Sequence, residues 1–186
     1  MQNNEKRLPL YYLWLLAAAA LVAVDRLTKW LVTANMNLND TIHLIKFGDT
    51  QVLNLYYCLN DGAAFSGFSG RRVMLIVFTS AVILALLYVI VFRKIKSKLR
   101  ICAATLLLGG GVGNLIDRIF NGGLVIDFID FRLINFPIFN FADICAVCGA
   151  GLIIFSVIRD EVLERKRKKA ADGVEGIIGQ ENDGKN

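Results

Sequence analysis

Residues 139–158, FNFADICAVCGAGLIIFSVI, decide the class of fold. A helix rises about 1.5 Å per residue, so a run of this length spans about 30 Å, the thickness of a bilayer's hydrocarbon core. Apart from Asn140 and Asp143 at its start, the run is apolar. Residues 73–92 are nearly unbroken in the same sense, and residues 101–120 are apolar but carry Asn114, Asp117 and Arg118 toward their end. Residues 10–31 are apolar as far as Val24, then bear Asp25, Arg26 and Lys29. The pattern predicts an all-α, polytopic membrane protein with four transmembrane helices, at about 10–31, 73–92, 101–120 and 139–158.

Composition agrees. Of 186 residues 55% are hydrophobic and 20% charged, with a mean hydropathy of +0.52, too apolar a mix for a soluble domain of this size. Residues 1–169 read as one integral membrane domain, and the Gly-, Asp-, Glu- and Asn-rich stretch 170–186 as a disordered cytoplasmic tail. Lys6 and Arg7 before a short apolar core, with Ala18-x-Ala20 inside it, also fit a cleavable signal peptide. Of the 21 Lys and Arg residues, thirteen lie in the N-terminal segment, in 93–100 and in 159–169, against five toward the other side, although Arg71 and Arg72 pull the other way. Basic loops stay in the cytoplasm, so both termini are expected there. The net charge of +5 then reflects topology and contact with anionic membrane lipids, with no need of nucleic acid.

That topology gathers Asp25, Asn60, Asp61, Asn114, Asp117, Asp127, Asn140 and Asp143 near the outer face of the membrane, from distant parts of the chain. Asp25 and Lys29 share a helix face and could simply pair at the interface with Lys29 snorkelling outward. Asn114, Asp117 and Arg118 share another face, where Asp117 with Arg118 would complete a buried network and make a poor proton shuttle. Asp127 and Asp143 differ, because neither has a basic neighbour within four residues and both are flanked by large apolar residues. Desolvation favours their protonated forms, and two such acids brought together cannot both ionise easily, leaving one as base and one as acid. The plainer alternative is that each separately caps a helix or loop.

The remaining motifs are structural. Gly109-Gly110-Gly111-Val112-Gly113 has no Lys-Ser or Lys-Thr after it and lies within an apolar run, so it reads as close helix packing and not as a phosphate loop. Cys145-x-x-Cys148 has redox or zinc spacing, but no second ligand pair exists and His43 is the only histidine, which favours core packing and no metal. The first outer loop, 32–70, mixes polar residues with apolar stretches such as 52–57 and is expected to form short strands and an amphipathic piece, a small β-containing cradle. Asn60-Asp61-Gly62-Ala63-Ala64-Phe65 within it could line a substrate groove.

Taken together, Val24-Asp25-Arg26-Leu27-Thr28-Lys29, Asn60-Asp61-Gly62-Ala63-Ala64-Phe65, Gly113-Asn114-Leu115-Ile116-Asp117-Arg118, Val125-Ile126-Asp127-Phe128 and Phe139-Asn140-Phe141-Ala142-Asp143 resemble the lipoprotein signal peptidase family, the type II signal peptidases of bacteria. The match of the first motif also tells against a cleavable leader. The resemblance implies a multi-pass aspartic endopeptidase of the bacterial cytoplasmic membrane that works near the extracytoplasmic face. Such an enzyme cuts prolipoproteins on the amino side of a diacylglyceryl-modified cysteine, without cofactor or metal, and a monomer is expected. By motif the catalytic pair is Asp127 and Asp143, while Asp25, Lys29, Asn60, Gly62, Asn114, Asp117, Arg118 and Asn140 support the site or its substrate. Asp61 stands where the family commonly has threonine, Ile126 replaces a valine, and the loop from Phe128 to Phe136 looks short. Two other classes fit the same acids: a small proton-coupled transporter or channel subunit, which should carry its essential acid near mid-span, and an inactive scaffold that binds lipoprotein precursors.

Overall fold

The structure is a computed structural model that describes residues 10–48, 50–62, 72–92, 94–134 and 136–183, with side chains as far as residue 166. In chain order come α1 (Leu10–Asn35), β1 (Thr41–Phe47), β2 (Thr50–Asn60), α2 (Arg72–Val91), α3 (Lys98–Phe120), β3 (Val125–Phe131), one 3-10 turn (Arg132–Ile134) and α4 (Phe141–Asp183). Among the described residues three helices are long and apolar enough to cross a membrane, Arg72–Val91, Lys98–Phe120 and the Phe141–Lys166 part of α4. The fourth expected span, α1, has 26 residues but is not among them, and it carries Asp25, Arg26 and Lys29. α4 is helical to Asp183, through most of the stretch 170–186. Adding turns to an existing helix costs no new nucleus, and Ala170, Ala171, Glu175 and Gln180 favour it.

α3 is the central helix, packed by α1, α2 and α4. Ala18, Ile83, Ile90, Ala104 and Leu108 form the buried core between the helices. The glycine run of α3 makes that packing possible. A Cβ on Gly110 would fall on the Ala142 carbonyl of α4, and one on Gly113 would lie 2.7 Å from the Asp25 carboxylate of α1. The small side chains therefore let α1 and α4 approach α3 closely, as the sequence suggested.

The strands form one antiparallel sheet in the order β1-β2-β3. The first two come from the first outer loop, with 52–57 inside β2 as expected. β3 was not expected: it follows α3 after Asn121, whose N–H caps the Asp117 carbonyl at 2.7 Å, and after Gly122 and Gly123, which take positive φ of 62° and 94°. Those two left-handed residues turn the chain at once from helix into strand. Ala63, Ala64 and Phe65 lie outside the described residues.

A buried ion quartet joins α1 to α3. Lys29 is 2% exposed, and its Nζ donates to Asp25 Oδ2 (3.0 Å), Asp117 Oδ2 (2.7 Å) and Asn114 Oδ1 (2.9 Å). Arg26 bridges the same two acids, at 3.0 Å to Asp25 and 2.7 Å to Asp117. All three ammonium protons of Lys29 thus have acceptors, and two acids balance two bases. Two expectations change here. Lys29 points inward and does not snorkel, and the partner of Asp117 is Lys29 with Arg26, not Arg118. The reason is helical geometry between neighbours: Asp117 faces α1, whereas Arg118, one residue on, is turned about 100° around α3.

Removing one member of a buried pair strands the other, at a cost of about 3–5 kcal/mol. In a double-mutant cycle read by thermal unfolding in detergent, Lys29→Met and Asp117→Asn should be strongly non-additive, whereas Arg118→Gln and Asp117→Asn should add within about 0.5 kcal/mol. Additivity in the first pair would show that the quartet does not hold the helices together.

Candidate active site

The first turn of α4 builds half of the site. Asn140 is its N-cap: Asn140 Oδ1 accepts from the Asp143 N–H at 3.0 Å, and Asp143 Oδ2 accepts from the Asn140 N–H at 3.1 Å. This reciprocal capping box satisfies two backbone donors that the helix start would otherwise leave bare. Asp25 Oδ1 accepts a third, the Ala142 N–H, at 3.1 Å. The capping alternative for Asp143 is therefore realised, but with one oxygen only. Its Oδ1 accepts from Asn114 Nδ2 of α3 at 2.8 Å.

β3 supplies the other half. Asp127 pairs with Cys58 of β2 in register, two places from the pair of Asn60 with Val125. Asn60 Nδ2 donates to Asp127 Oδ2 at 2.9 Å, while the Asn60 Oδ1 accepts the Gly62 N–H at 3.0 Å, so the short turn after β2 fixes which way the amide faces. Asn140 Nδ2 lies 2.6 Å from Asp127 Oδ1, 3.0 Å from Asn114 Oδ1 and 3.3 Å from the Ile126 carbonyl. One side chain, Asn140, thus caps the helix that bears Asp143 and holds the carboxyl of Asp127. The Ile126 N–H in turn donates to Asp117 Oδ2 at 3.3 Å, tying β3 back to the ion quartet.

Asp127 and Asp143 face one cavity of about 210 Å³, with Asn60, Gly62, Asn114 and Arg118 at its polar side and Phe136 to Phe139, Ala146 and Val147 on its apolar side. A larger cavity of about 420 Å³, beside Arg72 and Gly122, contains neither acid. Asp127 is 2% exposed, and burial pushes its carboxyl up to about 7, with the neighbouring charge of Asp143 adding to the rise against the hydrogen bonds of Asn60 and Asn140. A carboxyl that is protonated up to neutral pH, beside a second acid and a guanidinium, can deliver and collect protons at a group placed between them. All ten residues singled out from the sequence fall in this site or in the quartet beneath it. Arg26 was passed over, though its place directly after Asp25 and three before Lys29 could have drawn it into the same cluster. Cys145 and Cys148 are free thiols on α4, the first packed beneath Gly110. Among the described residues no three His, Cys, Asp or Glu side chains gather into a group that could hold a metal ion.

Comparison with known proteins converges on one family. Residues 17–159 match the model of signal peptidase (SPase) II. The chain is 36% identical over 163 residues to the lipoprotein signal peptidase of Halalkalibacterium halodurans, covering 87% of this chain and 99% of that one. With the lipoprotein signal peptidase of Brevibacillus brevis it shares 38% over 150 residues, 81% of this chain and 95% of the relative. Its fold is similar to that of a bacterial membrane enzyme solved by the in meso method at 2.3 Å, with a TM-score of 0.72 and 32% identity over 80% of this chain and 88% of that one. The motifs named above lie within the matched residues, and the chain belongs to the signal peptidase II family, the membrane-embedded lipoprotein signal peptidases.

Proposed function

We propose that this protein is an aspartic endopeptidase that removes the signal peptide of bacterial prolipoproteins, cutting on the amino side of the diacylglyceryl-modified cysteine, with Asp127 and Asp143 as the catalytic pair. The observation that carries this reading is the convergence of the two carboxyls on one cavity through a shared partner, Asn140. Asp127, protonated below about pH 7, is the acid; Asp143 is the base. Asp143 takes a proton from a water whose oxygen adds to the scissile carbonyl carbon, and Asp127 hydrogen-bonds the developing oxyanion. The C–N bond then breaks, and the amine of the modified cysteine leaves with a proton from the pair. The two carboxyls supply both acid and base, so the reaction calls for neither a covalent intermediate nor a metal. Arg118 and Asn114, on the same wall, orient the peptide bond.

The membrane placement supports the substrate. α1 acts as the fourth span, its charges neutralised against Asp117 inside the bundle, and both termini lie in the cytoplasm, where most of the Lys and Arg residues cluster. The site then sits at the extracytoplasmic end. An apolar signal peptide lies in the bilayer beside α3 and α4, the acyl chains of the cysteine stay in the leaflet, and its peptide bond reaches the polar rim. The protein works as a monomer on a substrate confined with it to the membrane plane.

Asp127→Asn and Asp143→Asn should each reduce cleavage of a lipidated precursor by at least about 10³-fold while leaving membrane insertion and thermal stability close to wild type, since Asn keeps the shape and loses the proton chemistry. Gel-shift assays on purified protein with lipidated and unlipidated precursor measure this, and substantial turnover by either variant would sink the assignment.

The pH profile follows from the raised carboxyl of Asp127. The acid must carry its proton, so kcat/KM should fall as pH rises through about 7, far above an ordinary aspartate limb. A rate that rises and then stays level up to pH 9 would show that Asp127 is not the acid.

A further inference from the structure

The cleft does not end at the two acids. Pro137 and Ile138 border the cavity of Asp127 and Asp143 and also two more, of about 270 and 260 Å³. The first of these runs past Cys58 and Leu59 of β2 and still includes Asp127. The second lies over Asp130 and Arg132. The three cavities share one wall, Pro137 and Ile138, and this wall marks the exit that a chain lying at Asp127 would take along the sheet.

Beneath this exit lies a chain of polar side chains with no part in the mechanism above. His43 Nδ1 lies 2.9 Å from Asn54 Oδ1, Asn54 Nδ2 donates to Gln51 Oε1 at 3.2 Å and to Asp130 Oδ2 at 3.3 Å, and Arg132 Nε donates to the same Asp130 oxygen at 2.6 Å. Asn54 is fully buried and Asp130 is 4% exposed, whereas the Arg132 side chain is 49% exposed. Only its Nε is spent on Asp130: among the described residues its two Nη nitrogens hold no hydrogen bond. A buried acid on a rigid strand thus orients a guanidinium whose fork is left for a ligand.

Resting on the peptidase reading, we infer that Arg132 is a specificity-determining residue: it reads the substrate segment that follows the cleaved bond, favouring a carboxylate side chain about three residues on over an ammonium. Two physical constraints set the direction. The apolar signal peptide stays on the membrane side of the acids, by Ala146 and Val147, so the polar mature segment leaves by the sheet side. Asp130 follows Asp127 by three places in β3, about 10 Å at a strand's rise, an odd spacing that turns its side chain to the other face, so an extended substrate that rounds the Pro137 edge covers the distance with about three residues.

The test uses the full-length enzyme in proteoliposomes and three lipidated precursors that differ only in the third residue after the modified cysteine: Asp, Asn or Lys. Wild type should cleave the Asp precursor with a kcat/KM about five- to tenfold above the Lys precursor, the range expected for exchanging a partly exposed attraction for a repulsion. Arg132→Gln should bring that ratio to about one while cleaving the Asn precursor within about twofold of wild type, and Arg132→Lys should restore part of the preference. A merely structural Arg132 would alter all three precursors alike. Equal rates on the Asp and Lys precursors in wild type, or a ratio unchanged in Arg132→Gln, would overturn the inference and leave the peptidase reading standing. Failure of wild type to cleave any of the three would instead overturn that reading itself.

Discussion

The ammonium of Lys29 is the point on which the rest depends. It sits 2% exposed inside a helical bundle, where an unpaired charge would cost several kcal/mol, and it is held by three acceptors from two helices. Each acceptor then fixes something else. Asp25 caps the Ala142 N–H of α4, Asp117 accepts the Ile126 N–H of β3, and Asn114 passes its own amide to Asp143. The two elements that bear the acids are thereby placed by one cation that touches neither acid. Isolated, such a quartet is weak evidence of stability, since apolar side chains of similar size would often do as well. Its use here is orientation, because apolar packing has no direction and could not hold two carboxyls at a chosen angle.

Asn140 does for the acids what Lys29 does for the helices. Its backbone N–H and its Oδ1 complete the capping box with Asp143, and its Nδ2 reaches Asp127. An amide suits this place because it donates and accepts without bringing a charge that would settle the proton on one acid. Asn60 plays the matching part from β2, held by the turn at Gly62. The two acids differ in surroundings: one stands at a helix N-terminus, the other on a buried strand. Burial on the strand is what pushes the carboxyl of Asp127 up.

The position of the site follows from these supports. Small residues on α3 allow α1 and α4 to come close, which brings Asp25 within reach of Ala142. The sheet closes over the end of the bundle through β3, with Phe139 bridged to Ile129 just before α4 begins. The cavity of the acids consequently has a polar floor and an apolar flank along α4, and it shares Pro137 and Ile138 with a neighbouring cavity beside β2.

By itself the sequence determined the helices and the family, for a reason of length and polarity. Runs of about 20 apolar residues have few alternatives to a buried or membrane helix, and acids retained at the ends of such runs stand out. It also gave the reading of Gly109 to Gly113 as a packing seam, and the expectation that 52–57 would be a strand. What only the tertiary structure decided is which polar groups meet. Asp117 looks toward Arg118 in the chain, yet helical rotation turns it to Lys29 and Arg26. β3 was hidden because Asp127 and Asp130 interrupt residues 125–131 at a three-residue spacing, without the alternation that marks a strand, and its burial shows only once β2 lies beside it. Partners separated by 85 residues, such as Lys29 and Asn114, leave no local mark at all, because the geometry that joins them exists only after the helices have packed.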